Sequence, residues 1–171
     1  MEDTMKNLDL IKLFAMDVDG TLTDGNIYMG NEGEMFKAFN VKDGLGIKLL
    51  KDYGIIPAII TGRNSQIVEN RCKELGLIEF HQGVKNKAAK LTELMKKYDL
   101  SREQVAYIGD DMNDLSAIKT AGITFAPADC ADSLKPFIDI LLTRPSGQAP
   151  VREAVDMILG KRYDFSEFLD L

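Results

Sequence analysis

One stretch, IKLFAM followed by DVDGT at residues 11–21, decides how this chain of 171 residues is organised. A short, almost continuously apolar run of this kind is typical of a strand that is buried on both faces of a sheet. Two acidic residues, Asp17 and Asp19, come directly after it. In parallel sheets covered by helices, ligands bind beyond the carboxyl ends of the strands. The stretch therefore predicts a central parallel strand with acidic side chains at a binding edge.

The same rhythm continues along the chain, because apolar segments of strand length alternate with amphipathic segments of helix length. Further strands are predicted at 55–60, 105–108, 123–126 and 138–142, and helices at 44–53, 65–75, 86–98 and 113–121. This alternation predicts an α/β fold, a three-layer, doubly wound parallel sheet in a single domain over residues 1–171. Residues 25–40 break the rhythm and predict a projecting β-hairpin. In the C-terminal tail, 143–171, we expect a loop at 143–150 and either a short helix or a frayed end at 161–171.

Composition and charge narrow the class of protein. With 45% hydrophobic and 28% charged residues, the chain has the profile of a soluble globular protein. Its net charge of −6 argues against a nucleic-acid partner, which requires a basic face. Apolar runs stay well short of the roughly 18–20 residues that span a bilayer, so we expect no membrane segment and a cytoplasmic protein. Cys72 and Cys130 lie far apart beside a single histidine, which predicts reduced cysteines and no zinc site.

Asp17 and Asp19 carry the first chemical signal. Two carboxylates at this spacing can converge on one metal ion, or divide the roles of nucleophile and proton donor between them. Mg²⁺ prefers oxygen ligands and often takes one or two carboxylates together with a substrate phosphate. The backbone N–H groups of Gly20 and Thr21 can point at that phosphate. A bare Asp-x-Asp also occurs as a solvated turn, so the pair alone does not decide between these readings.

Four motifs in order resemble those of the haloacid dehalogenase superfamily: DVDGT at 17–21, Thr61 after the second strand, Lys87 in GVKNK, and GDDMND at 109–114. The resemblance implies a magnesium-dependent phosphatase with Asp17 as nucleophile and Asp19 as general acid/base. Thr61 would hold a phosphate oxygen, Lys87 would neutralise phosphate and nucleophile, and Asp110 would bind the metal. Two points stay open: Lys85 and Lys90 are nearby alternatives to Lys87, and Asp111 and Asp114 either support the metal site or favour a helix N-terminus.

A narrower resemblance covers about residues 11–159. Residues 17–61 leave room for the hairpin and one helix but not for a cap domain. This layout, with FNVKDGLGI at 39–47, TGRNSQIVENR at 61–71 and VRE at 151–153, is similar to the 3-deoxy-D-manno-octulosonate 8-phosphate phosphatases. The resemblance implies a homotetramer in which hairpins meet and neighbours complete each active site. It also implies Mg²⁺ held by Asp17, Asp110 and the backbone carbonyl of Asp19. Implied contacts to the sugar-acid phosphate are Asp19, Asn40, Val41, Lys42, Asp43, Gly44, Lys48, Arg63, Arg71 and Lys87.

Several features leave the substrate open. Arg63 and Arg71, eight residues apart, are expected two turns along one helix face, where they could grip a carboxylate. Arg71 could instead form a surface ion pair with Glu69 or Glu74. Ser146 and Ala149 stand in segment 144–150 where the family usually has glycines, and Lys48 stands where it often has arginine. The alternatives are therefore a phosphatase for nine-carbon, sialic-acid-type keto-acid phosphates, a broad-specificity sugar phosphatase, or a non-catalytic assembly module.

Overall fold

The computed structural model of the chain describes residues 8–164 and residue 166. Its strands are β1 (Leu13–Met16), β2 (Tyr28–Gly30), β3 (Gly33–Phe36), β4 (Ile56–Ile60), β5 (Glu79–His81), β6 (Val105–Ile108), β7 (Ile123–Ala126) and β8 (Ile140–Leu141). Its helices are α1 (Val41–Asp52), α2 (Gln66–Glu74), α3 (Lys87–Lys97), α4 (Leu115–Thr120) and α5 (Pro150–Leu159). Short 3-10 turns occupy Arg102–Gln104, Met112–Asp114, Lys135–Phe137 and Gly160–Arg162.

The main sheet has six strands in the order β5-β4-β1-β6-β7-β8, and every neighbouring pair is parallel. In the register, Met16 at the end of β1 lies opposite Ile59 of β4 and Ile108 of β6. These three strands therefore finish at nearly the same level. As a consequence, the residues that follow them are delivered to one edge of the sheet.

Helices cover both faces of the sheet, which confirms the predicted three-layer architecture. Alternate residues of β1 point to opposite faces, as the pleat requires. Phe14 and Met16 join the core beneath α1, α2 and α5, whereas Leu13 and Ala15 join the core beneath α3 and α4. All four β1 residues are buried, which explains why the strand has no polar side chain.

The predicted hairpin is also present. β2 and β3 pair antiparallel in a separate two-stranded sheet, and Gly30 lies opposite Gly33 across the turn. Met29 and Met35 are 61% and 64% exposed, so the hairpin presents apolar side chains outward. Between β1 and β4, the described chain forms this hairpin and α1 and builds no separate cap. No described helix is long and apolar enough to cross a membrane.

Two elements of the structure were not predicted. β5 has only three residues, and Glu79 and His81 deprive it of an apolar alternation. α5 did carry a readable signal, because Val151, Ala154, Val155 and Ile158 follow helical spacing and are all buried. Of the expected tail segment 161–171, only 161–164 and 166 are described, and the chain there begins with the turn Gly160–Arg162. Cys72 and Cys130 are buried free thiols, as expected.

Candidate active site

The strand ends bring a lysine and three acids together. Asp17 follows β1, and its backbone N–H donates to the carbonyl of Ile108 at 3.1 Å. Lys87 is the first residue of α3, a helix whose N-cap is Asn86. Its ammonium lies 2.9 Å from Asp17 Oδ1 and 2.6 Å from Asp114 Oδ1. Among the three candidate lysines, the structure thus brings Lys87 to Asp17.

The two rival lysines lie elsewhere. Lys90 forms an ion pair with Glu93 at 2.6 Å along α3, and Lys85 is exposed in the loop before that helix. Neither is part of the buried cluster. Thr61, the candidate phosphate ligand, is buried directly after β4, and its backbone is fixed by hydrogen bonds to His81 and Val84.

The acidic cluster is built from Asp17, Asp110 and Asp114, which offer carboxylate oxygens within 4.8 Å of one another. Gly20 makes this packing possible. Its φ is +88°, and a Cβ there would lie 2.1 Å from Asp110 Oδ2. The Thr21 hydroxyl donates to the other Asp110 oxygen at 3.4 Å. The turn after β1 is therefore shaped to receive the Asp110 carboxylate.

Negative charge exceeds positive charge in this cluster. Burial, together with the neighbouring carboxylates of Asp17 and Asp114, raises the pKa of Asp110 to about 8, against the lowering effect of Lys87. Burial and Asp114 likewise raise the pKa of Asp17 to about 6. Burial opposes the charge of Lys87, yet Asp17 and Asp114 outweigh it and raise the pKa of the lysine. The site is thus short of positive charge.

Asp114 and Asp111 have different surroundings. The fully buried Asp114 accepts hydrogen bonds from the Tyr107 hydroxyl at 2.6 Å and the Asp110 backbone N–H at 3.1 Å, in addition to Lys87. Asp111 is exposed and caps the 3-10 turn Met112–Asp114 through the Met112 N–H. Asp114 thus supports the cluster from inside, whereas Asp111 has a capping role. Tyr107 was not anticipated, although its hydroxyl stands out within apolar β6.

Asp19 does not join the other acids. Its carboxylate is paired with Lys37, just after β3, and Arg63 Nε lies 3.7 Å away. Lys37 also contacts Glu34 of β3 at 2.9 Å. Lys37 and Glu34 were not predicted from the sequence, because their position depends on the hairpin folding back over the strand edge.

The loop that begins α1 is joined to α5. Asn40 caps α1 by accepting the Lys42 N–H at 2.9 Å, and its amide donates to the Gly147 carbonyl at 3.3 Å. Asp43 is buried and accepts the Arg152 backbone N–H at 2.7 Å, at the otherwise uncapped N-terminus of α5. Burial raises the pKa of Asp43 to about 6 despite that bond. Among the predicted substrate contacts, Asp43 therefore serves as a helix cap.

The expectation that Arg63 and Arg71 share one helix face is wrong. α2 begins at Gln66 with Ser65 as its N-cap, so Arg63 lies in the preceding turn. Arg71 pairs with Glu74 at 2.8 Å and lies over the Phe39 ring. Its guanidinium also packs on Gly44, where a Cβ would lie 2.4 Å from Nη2. Other predicted substrate contacts are exposed on α1, namely Val41, Lys42 and Lys48.

Segment 144–150 packs on the turn that follows β1 in its own chain. The Ser146 hydroxyl contacts the Gly20 carbonyl and the Asp129 carboxylate, and the Gly147 N–H donates to the Thr21 carbonyl at 3.2 Å. Ala149 has a φ of +67°, a conformation that favours glycine. Serine at 146 thus gains hydrogen bonds that glycine could not make, and alanine at 149 is accommodated with a strained backbone.

Comparisons with known proteins show the family to which the chain belongs. A family model described as haloacid dehalogenase-like hydrolase matches residues 35–122. A 3-deoxy-D-manno-octulosonate 8-phosphate phosphatase from Escherichia coli strain B is 43% identical over 157 residues, or 92% of this chain and 84% of that protein.

Solved structures extend the likeness to the fold. The 3-deoxy-D-manno-octulosonate 8-phosphate phosphatase of Moraxella catarrhalis, in complex with magnesium, phosphate and KDO, has a TM-score of 0.92 at 42% identity, covering 99% of this chain and 98% of its own. The cobalt-bound phosphatase of Haemophilus influenzae has a TM-score of 0.90 at 40% identity, covering 95% and 99%. This chain therefore belongs to the haloacid dehalogenase-like hydrolases and, within them, to the 3-deoxy-D-manno-octulosonate 8-phosphate phosphatase family.

Proposed function

We propose that this chain is a phosphatase that hydrolyses 3-deoxy-D-manno-octulosonate 8-phosphate to the free sugar acid and phosphate. The observation that carries the proposal is the contact between Asp17 and Lys87 at the sheet edge, next to Asp110. A carboxylate held against a buried ammonium is suited to attack an anionic phosphorus centre, because the cation offsets the repulsion between the two anions. The relatives from E. coli and M. catarrhalis carry this substrate in their names.

The residues divide the reaction into two displacements. The Asp17 carboxylate attacks phosphorus, the bond to the sugar oxygen breaks, and Asp19 gives that oxygen its proton, leaving an aspartyl phosphate. Asp19 then takes a proton from water, the water oxygen attacks phosphorus, and the bond to Asp17 breaks. Thr61, Lys87 and the backbone after Asp17 hold the phosphoryl oxygens throughout. Asp114 and Tyr107 keep Lys87 and the neighbouring backbone in place.

The cluster fits a magnesium ion. Its donors are carboxylate oxygens, which suit this hard cation, and the raised pKa of Asp110 reflects a deficit of positive charge. Asp17, Asp110 and the Asp19 carbonyl would hold the ion, with Asp114 already occupied by Lys87 and Tyr107. When bound, magnesium supplies charge neutralisation for the phosphate and its nucleophile.

Substrate contacts are proposed for the exposed rim of the site. The positive groups proposed for these contacts are Lys42, Lys48, Arg63 and Arg71, which can meet the carboxylate and hydroxyls of a sugar acid. Asn40, Val41 and Gly44 would contact the sugar from the start of α1. Asp43 would act from behind, by holding this loop to α5.

Assembly and location complete the proposal. Met29, Met35 and Phe36 leave an apolar surface on the hairpin, which supports a homotetramer with hairpins in contact and sites completed by neighbours. The two free cysteines are compatible with a reducing compartment, so we place the enzyme in the cytoplasm.

A substrate panel tests this proposal. Phosphate release with Mg²⁺ is measured for 3-deoxy-D-manno-octulosonate 8-phosphate, a nine-carbon keto-acid 9-phosphate and a hexose 6-phosphate, with Asp17→Asn as the inactive reference. We expect kcat/KM to favour the eight-carbon substrate by more than about 10-fold. A higher kcat/KM for the nine-carbon acid would favour a nine-carbon keto-acid phosphatase instead. A difference in kcat/KM of only a few-fold among the substrates would favour a broad-specificity sugar phosphatase. No release from any substrate would favour an assembly module.

A further inference from the structure

Lys37 is a buried cation outside the recognised motifs. Its side chain is 1% exposed, and it lies between the carboxylates of Asp19 and Glu34. Burial opposes its charge, but the bonds to those two acids outweigh burial and raise the pKa of the lysine. A lysine is rarely buried to this extent without a specific charged partner. The burial of Lys37 therefore indicates a more specific role than that of an exposed salt bridge on a surface hairpin.

The two acids that share this ammonium are fixed to different degrees. Glu34 belongs to β3, and its other oxygen accepts a hydrogen bond from the hydroxyl of Ser65, the N-cap of α2. The second oxygen of Asp19 has a looser neighbour, because Arg63 Nε stands 3.7 Å from Oδ2, beyond hydrogen-bond range. Ser65 and Glu34 thus anchor Lys37, and Lys37 in turn anchors one oxygen of Asp19.

We propose that Lys37 is a positioning residue that orients the Asp19 carboxylate for acid/base work, an inference that rests on the function proposed above. Lys37 engages Oδ1 and leaves Oδ2 as the oxygen that exchanges a proton with the leaving sugar alcohol. Asp19 lines the same cavity as Gly20 and Asp110, which places the residue at the proposed reaction site. The hairpin thereby contributes to catalysis within its own chain, through Glu34 and Lys37.

This role has a kinetic signature. A sugar alkoxide is strongly basic and needs a proton as it leaves, whereas p-nitrophenolate is weakly basic and leaves without one. A misoriented Asp19 therefore slows cleavage of the sugar phosphate much more than cleavage of p-nitrophenyl phosphate. The parameter to compare is kcat/KM, which covers the steps up to alcohol release and excludes hydrolysis of the aspartyl phosphate.

The test compares wild type, Lys37→Met and Asp19→Asn on both substrates at saturating Mg²⁺. Misplacing a catalytic group by about 1 Å typically costs about 100-fold. We therefore expect Lys37→Met to lose about 30- to 100-fold in kcat/KM on the sugar phosphate and less than about 3-fold on p-nitrophenyl phosphate. Equal losses on the two substrates, or no loss on the sugar phosphate, would overturn the proposal.

A double-mutant cycle separates positioning from direct substrate binding. In an Asp19→Asn background, Lys37→Met should cost less than about 3-fold further, because the group that it orients has lost its function. A further loss as large as in the wild-type background would mean that Lys37 binds the substrate itself, against the proposal. Lys90→Met, which removes a surface ion pair with Glu93, is the matched control and should leave both substrates unaffected.

The design also distinguishes failure of this inference from failure of the proposed function. If Asp19→Asn shows the leaving-group dependence and Lys37→Met does not, only the role of Lys37 is wrong. If Asp19→Asn shows none, the acid role of Asp19 is wrong and the inference about Lys37 falls with it. If the wild type releases no phosphate from the sugar phosphate, the proposed function itself is wrong. Should Lys37→Met unfold at the assay temperature, Glu34→Gln/Lys37→Met removes both charges and gives the same comparison.

Discussion

Asp17 and Glu79 are two buried acids with opposite electrostatics. Each is 3% exposed, Asp17 after the end of β1 and Glu79 at the start of β5. Burial alone would raise both pKa values. Glu79, however, receives hydrogen bonds from Lys97, Tyr98 and His81, which outweigh burial and lower its pKa to about 2. The pKa of Asp17 is instead raised to about 6.

The difference lies in how many donors each acid has to itself. Glu79 holds three donor side chains around one carboxylate. Asp17 shares the ammonium of Lys87 with Asp114, and Asp110 adds a further carboxylate nearby. Glu79 is therefore surrounded by hydrogen-bond donors, whereas the acids at the ends of β1 and β6 have too little positive charge nearby. A metal ion can supply that missing positive charge.

Among the substitutions considered, removal of the Lys87 ammonium should have the largest effect, and the effect should be on activity. Lys87→Met takes away the cation that Asp17 and Asp114 share, so we expect kcat/KM to fall by at least about 100- to 1000-fold. Steady-state phosphate release measures it, with Lys90→Met on the same helix as the control. A Lys87→Met enzyme that keeps a tenth of the activity would show that the ammonium is dispensable.

Asp110→Asn should reduce the stabilisation of the folded protein by magnesium. Magnesium bound only to the folded protein stabilises it by about 2.7 kcal/mol at a hundredfold excess over Kd. The variant should lose this increment, and without metal it should be at least as stable as wild type, since a repelling carboxylate is gone. Thermal melts with Mg²⁺ and with EDTA measure both. Asp111→Asn, at the exposed neighbouring acid, should keep the metal-induced shift; a persistent shift in Asp110→Asn would contradict the assignment.

Glu79→Gln tests the acid that is surrounded by donors. The amide is nearly isosteric but removes the charge that three donors surround, so we expect the free energy of unfolding to fall by about 2 kcal/mol. Activity should stay unchanged, because β5 begins away from the catalytic edge. Urea denaturation and a parallel assay measure the two quantities. An activity loss without destabilisation would contradict the division between structural and catalytic acids.

The pH dependence of the free energy of unfolding should show the same contrast between Glu79 and Asp17, with a smaller effect than the substitutions above. The folded pKa of Glu79 lies below its unfolded value of about 4.3, so its stabilisation is present above that pH and is lost as pH falls toward 2. We expect about 1–2 kcal/mol to disappear between pH 4.5 and pH 3. In metal-free protein, Asp17 acts oppositely, adding stability as pH falls from 6 to 4. Glu79→Gln should flatten the acid limb; an unchanged limb would refute this origin.

The sequence predicted the parts of the site that sit directly at strand ends. Asp17, Thr61 and Asp110 follow apolar runs, and a parallel sheet brings such positions to one edge. Lys87 could be singled out from Lys85 and Lys90 only by resemblance. α5 could have been predicted from its buried stripe, whereas β5 could not, because three residues with two polar side chains carry no period.

Contacts made by chain reversal could not be predicted. Lys37 meets Asp19 because the hairpin folds back, and Asp43 meets Arg152 across more than a hundred residues. The error over Arg63 and Arg71 has a local cause. Eight-residue spacing predicts a shared helix face only if the helix covers both positions, and with Ser65 as its N-cap the helix begins at Gln66, three residues after Arg63. The resemblance-based site roles and the single-domain boundary remain predictions.

The smallest effect is expected at an exposed ion pair, which joins a glutamate to a basic side chain as Glu79 and Lys97 do. Glu74 pairs with Arg71 at 2.8 Å, but its side chain is 64% exposed and hydrated in both folded and unfolded chains. Glu74→Gln should therefore change the free energy of unfolding by less than about 0.5 kcal/mol. Urea denaturation beside Glu79→Gln makes the comparison direct, since both substitutions remove one carboxylate charge from a paired glutamate. If the two cost the same, burial would not be what separates them, and the contrast between Glu79 and Asp17 would lose its physical basis.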